Sequence, residues 1–347
     1  MDSLFKDSPK YVGHKLMIPE IGDFICLPQE SNSRALIHNK NGYEIISNIC
    51  RHRQSPMLRD KGNVSSIVCP LHCWTYDITG KLIGAPNFKS LPNLNLKTKK
   101  TFEWEGLLFE NDVSKLKYSL SRNPFFDYFT FDNFALHNVT SQICNYNWKT
   151  FVEVYLDDYH VDSFHSGLGG FVDCNKLQWH FFDDYSIQAV GYLNEVKRTS
   201  SIYSDWTSLV RSQYVKEKPK WGAIWMLIYP NIMLEWYPQT LVISILYPIS
   251  PEKTLNVTEF YYPEQICHFH ETYAKAQQLA YKETAEEDDK IAILIEEGRK
   301  SIKCSNEKSF GPIHPRLEAG IPHFYKFLKS SSSRKLKKHF YDSNNFN

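Results

Sequence analysis

Cys50-Arg51-His52 and, after the sixteen residues 53–68, Cys69-Pro70-Leu71-His72 decide how this chain is read. Each stretch offers one thiolate and one imidazole. A zinc ion would accept that ligand count, but zinc modules usually follow a Cys-Cys pair with a second Cys-Cys or a His-His pair. Interleaved Cys/His pairs suit a [2Fe–2S] cluster in which two thiolates hold one iron and two imidazoles the other. Neutral imidazoles leave such a cluster less negative than four thiolates would, which raises its potential and favours taking up an electron.

The surroundings agree. The runs Ile45 to Cys50 and Ser65 to Cys69 have strand character, so each pair falls on a loop just after a strand. Backbone N–H groups there can point at the bridging sulfides and tune the cluster. Arg51, Arg53 and Arg59 lie close by, and each taken singly reads better as solvated surface charge.

Outward from these loops, residues Tyr11 to Asn111 read as short strands broken by Gly, Pro and Asn turns, which predicts a small all-β module. Among them are Gly22 to Leu27, Ala35 to His38, Gly42 to Ile46 and Trp104 to Glu110. Val113 to Pro124 reads as a connector. Helical patches follow, then a strand-rich stretch from about His180 to Tyr262, with Gly222 to Tyr229 and Thr240 to Tyr247 as central antiparallel strands. Pro263 opens a run without Gly or Pro until Gly298, which predicts one long helix or two nearly continuous ones. The basic, serine-rich tail from Ser330 reads as disordered.

Composition bounds the rest. The chain has 347 residues, enough for two domains, with 42% hydrophobic and 15% aromatic residues. A formal net charge of +1 gives no global pull toward nucleic acid or anionic membrane. No apolar run approaches the ~20 residues of a membrane span, and the N-terminus lacks the apolar core of a signal peptide. Six cysteines beyond the two pairs are scattered singly, which is no disulfide framework and leads us to expect a cytoplasmic setting.

A second constellation lies at Asn147-Trp-Lys, Glu153, Asp157, His160 and His165. Two histidines and nearby carboxylates could supply a 2-His-1-carboxylate iron site with positions left open for O₂ and substrate. On a helix, Asp157 and His160 would share a face at i and i+3. His165 would fall off that face, so the helix must end or distort, as Gly167, Gly169 and Gly170 suggest. Alone, two histidines at this spacing also read as hydrogen-bonded core residues. An electron-accepting cluster upstream makes a second redox centre the stronger reading.

Together these motifs resemble the large (α) subunit of the Rieske non-haem iron oxygenases, the superfamily of aromatic-ring-hydroxylating dioxygenases and choline- and carnitine-monooxygenase-like enzymes. Tyr11-Val-Gly-His and Tyr229-Pro-Asn-Ile-Met-Leu-Glu-Trp extend the likeness over nearly the whole chain. The Asn147-to-His160 spacing is closer to the choline and carnitine branch than to the naphthalene-dioxygenase branch. The resemblance implies an α+β protein: an all-β Rieske domain over residues 8–115, a helix-grip (START-like) antiparallel sheet domain with a long C-terminal helix over 116–329, and a disordered tail over 330–347. It implies a [2Fe–2S] cluster on Cys50, His52, Cys69 and His72, and a mononuclear Fe(II) on His160, His165 and a third carboxylate from the long helix. Within Glu286 to Asp289, Asp288 has Ala285, Ile291, Ala292 and Ile295 on its face, an apolar stripe. Asp289 shares its face with Glu286 and Glu296. Asp288 is therefore the expected ligand and Asp289 its rival, since an acid on a buried stripe needs compensation.

The resemblance also implies O₂-dependent hydroxylation or oxidative demethylation of a small organic substrate, with aromatic ring dihydroxylation as the alternative. Electrons would come from NAD(P)H through a separate flavin/iron–sulfur reductase, with or without a ferredoxin. They would cross between subunits of a homotrimer at Asp157, which matches a bridging carboxylate. Two departures stand out: Cys73 where relatives usually carry Gly, and Val154 where they often carry Asn. Trp206, Trp221, Trp225 and Trp236 are candidate walls of the substrate pocket, although tryptophans at strand spacing more often serve the core. From another class, a bare Rieske electron carrier would need neither the second histidine pair nor Asp288.

Overall fold

The computed structural model describes residues 4–5, 8–193, 200–214, 218–305 and 311–343, with side chains of the last helix described up to residue 331. The chain divides into two units, Met1–Phe126 and Asp127–Asn347. The division falls later than the expected 115/116. The connector contains a helix, Ser114–Leu120, whose Leu116 and Leu120 are buried, and Trp104 donates its indole N–H to Ser121 Oγ at 3.2 Å.

Before that helix, the described residues of the first unit are all β apart from short helical turns. A five-stranded antiparallel sheet runs in the order Lys61–Asn63, Asp23–Cys26, Arg34–Asn39, Gly42–Ser47, Thr98–Lys100. A three-stranded sheet joins Ser66–Val68, Thr75–Asp77 and Leu82–Gly84. Phe24, Ile37 and Ile46 from the first pack with Ile67, Tyr76 and Leu82 from the second, and Cys50 and Cys69 sit in the same apolar cluster. Apolar side chains on alternate strand positions thus bury the thiols of both loops. Trp104 to Glu110, expected as one strand, is the bend of a hairpin between Phe102–Trp104 and Leu107–Phe109. Glu105 and Gly106 both have positive φ, 46° and 85°, the backbone that turns a tight hairpin with the sheet's own twist.

The second unit is a seven-stranded antiparallel sheet. Its order is Phe134–Cys144, Lys253–Pro263, Thr240–Ser250, Ile232–Tyr237, Trp221–Ile228, Tyr185–Tyr192, Val172–Phe181. Tyr185–Tyr192 and Trp221–Ile228 are buried at every position, because both faces of the sheet are covered. The helix Glu271–Ser305 packs Tyr273, Ala274 and Ala280 against Val242, Phe260 and Tyr262 of the sheet. This is the expected helix-grip arrangement. It is preceded by Glu264–Phe269, so the expected helical run is two pieces, and it continues through Gly298.

Two elements differ from expectation. A helix, Ser201–Gln213, interrupts the strand-rich stretch, capped by Ser200 Oγ accepting from Tyr203 N at 3.1 Å. The final helix, Gly320–Ser343, runs through most of the tail expected to be disordered. After Pro322 no Gly or Pro interrupts it. Residues 344–347 of that tail lie outside the described residues.

Candidate active site

Asn147 starts the site. Its side chain accepts from Lys149 N at 3.0 Å and caps the helix Trp148–Tyr155. That helix ends before Asp157, so Asp157 and His160 do not share a helical face as expected. A local turn brings them together instead. Asp157 Oδ1 accepts from the backbone N–H of Tyr159 at 2.7 Å and of His160 at 3.3 Å, the self-bonding typical of an Asx turn. Oδ2 is left 3.2 Å from His160 Nδ1, a charge contact short of hydrogen-bond alignment. His160 precedes a one-turn helix, Val161–Phe164, and His165 ends it in extended backbone. One turn returns the second ring beside the first, with the two Nε2 atoms 2.9 Å apart.

The helix Glu271–Ser305 supplies the acids. Asp288 Oδ1 lies 3.0 Å from His165 Nε2 and 3.3 Å from His160 Nε2. Donors about 2.0–2.2 Å from one ion and cis to each other stand about 3 Å apart. The triangle of 2.9, 3.0 and 3.3 Å therefore fits three adjacent positions around a single divalent ion. Asp289 turns elsewhere and accepts from the side chains of Gln142 and Tyr146. Glu287, which the sequence reading passed over, places Oε2 2.7 Å from His165 Nδ1. Both histidines thus aim Nε2 at the shared point and Nδ1 toward a carboxylate; at His165 the hydrogen bond fixes the tautomer and makes Nε2 a better donor.

Electrostatics follow from this crowding. Burial pulls His160 down, but Asp157 and Asp288 outweigh it and bring the imidazole up to about 9. Burial also opposes the charged form of His165, and Asp288 and Glu287 again raise it. Burial pushes Asp288 up, yet the two imidazoles hold it below the usual carboxylate range. The cluster of groups favours added positive charge, which a metal ion supplies.

A cavity of about 90 Å³ opens on this triangle, and no Lys or Arg lines it among the described residues. Trp206 and Trp225 are in its wall; Trp221 and Trp236, also expected there, are not. Val154 lines it as well. Two further buried acids do so, each only 3% exposed: Asp158 and Glu235. Asp158 Oδ2 has no hydrogen-bond partner, and burial pushes this carboxyl up to about 8. Glu235 accepts from Tyr237 Oη at 2.7 Å and Tyr281 Oη at 3.3 Å, and burial lifts it to about 7. A lone acid inside the apolar run Ile232–Tyr237 was the available signal for it.

In the first unit, the Cys50 and Cys69 thiols are buried while His52 is partly and His72 fully at the surface. The two imidazole rings lie 4.8 Å apart, and His52 also stacks on Trp74. Asn48 pins the first loop, accepting from Met57 N at 3.1 Å and Leu58 N at 2.6 Å. Tyr76 Oη stands 3.7 Å from Cys50 Sγ and accepts from Arg51 N at 3.1 Å. Soft thiols inside and imidazoles outside suit a cluster with unlike irons.

Both units match known families. Residues 21–95 match the Rieske [2Fe-2S] domain, and residues 126–332 match the ring hydroxylating alpha subunit (catalytic domain). The chain belongs to the Rieske non-haem iron oxygenases, as an α subunit. It is an O₂-using oxidoreductase with a [2Fe–2S] cluster and a mononuclear iron, and its family draws electrons from NADH through a reductase. It is 44% identical over 336 residues to putrescine 2-hydroxylase of Ralstonia nicotianae, covering 95% of this chain and 90% of that one. Identity to putrescine 2-hydroxylase of Bordetella bronchiseptica is 44% over 344 residues, covering 94% and 79%. The fold is similar to that of the quaternary ammonium Rieske monooxygenase CntA, with a TM-score of 0.74 at 18% identity over 95% of this chain and 90% of that one. No helix among the described residues is long and apolar enough to cross a membrane.

Proposed function

We propose that this chain hydroxylates an aliphatic C–H bond of a small diamine, with putrescine as the reference substrate. The observation that carries the reading is the cavity beside His160, His165 and Asp288: it is lined by buried acids and aromatic rings, without Lys or Arg among the described residues. Such a wall rejects anions and favours ammonium groups, by charge and by cation–π contact. At about 10–15 Å³ per water, its volume of about 90 Å³ suits a molecule of fewer than roughly ten heavy atoms. The two putrescine 2-hydroxylases among its relatives support the same substrate class.

Cys50 and Cys69 hold one iron of the cluster and His52 and His72 the other. His160, His165 and Asp288 hold the mononuclear Fe(II). When bound, the cluster supplies electrons and the mononuclear iron supplies O₂ activation. Glu287 keeps the His165 Nδ1 proton in place, so that Nε2 faces the metal position. Asp157 stands 3.2 Å from His160 Nδ1 and favours a proton there by charge. In a homotrimer it also accepts an N–H from His72 of the partner subunit, linking donor and acceptor centres. The aromatic walls exclude water around the reacting carbon. In the balance, one oxygen atom enters the C–H bond and the other leaves as water, with two electrons from the reductase and two protons.

The test is turnover of putrescine by iron-replete protein with a reductase, NADH and ¹⁸O₂. We expect a product heavier by one labelled oxygen atom. No product, together with O₂ uptake indifferent to putrescine, would sink the reading. Trp206 and Trp225 in the wall favour a second one, oxidative demethylation of a methylated ammonium. That reaction would release formaldehyde from such a substrate.

A further inference from the structure

Glu235 lies in mid-strand, cross-strand from Trp225 on one side and Val242 on the other. The same row continues to Gln188 and Phe260, and Glu235 is its one ionisable group. It opens on the cavity at 3% exposure, and its polar contacts among the described residues are neutral phenols. Tyr237 donates to one carboxylate oxygen and Tyr281 to the other. Tyr237 is itself held by the Trp225 indole N–H at 2.9 Å. One donor per oxygen leaves acceptor capacity unused, in a place where an uncompensated carboxylate is expensive. The Tyr155 hydroxyl, also in the cavity wall, is cut off from solvent without a hydrogen-bond partner. A carboxyl group oriented by aromatic side chains, facing a hollow, with unmet acceptor capacity beside it, is a receptor for a cation.

We propose that Glu235 anchors the remote ammonium of the substrate and is the residue that determines which carbon faces His160, His165 and Asp288. The inference rests on the amine reading above. Tyr281 and Asp288 lie about two helical turns apart on Glu271–Ser305, about 10 Å along the axis. That interval suits a short diamine with a contact at either end.

The experiment compares kcat/KM for putrescine and for n-butylamine, which lacks the remote ammonium, in wild type and Glu235→Gln. Cluster absorption and iron content verify assembly. Leaving a buried charge unpaired should make the wild type prefer putrescine by at least about 30-fold. Glu235→Gln should reduce that preference to a few-fold, through a rise in KM that is large for putrescine and much smaller for n-butylamine. Glu235→Asp withdraws the carboxylate by one methylene and should shift preference toward 1,5-diaminopentane. It decides the matter alone if the Gln variant does not assemble. Unchanged selectivity in an assembled Glu235→Gln, or unchanged chain-length preference in Glu235→Asp, overturns the anchor while the amine reading stands. No hydroxylated diamine from iron-replete wild type overturns the amine reading and the anchor with it.

Discussion

Glu287 holds His165 by the far side of its ring: Oε2 lies 2.7 Å from Nδ1, while Nε2 of the same imidazole faces Asp288 at 3.0 Å. The pair ties a one-turn helix to the long helix at the point where the donors converge. Glu287→Ala should weaken Fe(II) binding by about 10–100-fold, as loss of such outer partners does. Fe(II) titration of the protein with its cluster intact measures this. Unaltered affinity would leave Glu287 as a surface acid.

The two neighbouring aspartates should separate cleanly. Asp288→Ala should lose the mononuclear iron and keep the acid-labile sulfide of the cluster, because Asp288 alone of the pair stands beside both imidazoles. Asp289→Asn should keep both, since Asp289 bonds to Gln142 and Tyr146 instead. Iron and sulfide analysis distinguishes them, and the reverse pattern would exchange their roles.

Asp157→Asn should preserve both metal centres and lower turnover by about 100-fold or more. The amide keeps the local turn but cannot accept imidazole N–H bonds on both sides. Single-turnover reduction of O₂ by pre-reduced protein is the measurement. A wild-type rate would remove Asp157 from the electron route.

Cys73 has φ 54°, a left-handed backbone that disfavours a β-carbon by about 1–2 kcal/mol. The glycine that the family resemblance leads one to expect here would adopt this backbone without strain. Cys73→Gly should stabilise the cluster loop by about 1 kcal/mol and raise the midpoint of thermal cluster loss by a few degrees. A fall in that midpoint would show that the thiol contributes packing worth more than the strain.

In the first unit, Arg34 pairs with Glu110 at 2.7 Å and with Glu30, and Lys10 pairs with both acids at 2.8 Å. Hydrogen bonds from Arg34 hold Glu110 far below the usual carboxylate range, against the opposing pull of burial. A depressed folded value means stability that is fully present above the unfolded pKa of about 4.3. It is lost as pH falls through the folded value. Urea midpoints of wild type and Glu110→Gln should therefore differ at pH 7 and converge as pH drops below about 4. A gap independent of pH would mean packing rather than charge.

The parts of the site legible in sequence were those with local rules. Cys/His spacing marked the cluster loops, and the apolar stripe through Ala285, Ala292 and Ile295 singled out Asp288. The helix Ser201–Gln213 was missed because Ile202, Tyr203, Trp206, Thr207 and Val210 are strand formers, although they recur at helical spacing. Asp157 and His160 were paired rightly for the wrong reason, since a side-chain turn rather than a helix joins them. Glu235 could not be placed because its surroundings depend on the register of strands distant in sequence.

One helix face carries Gln277, Tyr281, Thr284, Ala285, Asp288 and Ala292 along the cavity. It works as a graduated ruler, with the metal-facing acid at one mark and the tyrosine beside Glu235 at another. Between the marks stand Thr284 and Ala285, and Ala285 is the smaller. On the proposed anchor, a larger side chain there should shorten the substrate the cavity accepts. Inserting one residue anywhere between Tyr281 and Asp288 rotates the two ends out of line, since each residue turns the helix by about 100°. On the proposed anchor, substrate length and the donor triangle are therefore inherited together, and a lineage can change the first freely only by substitution.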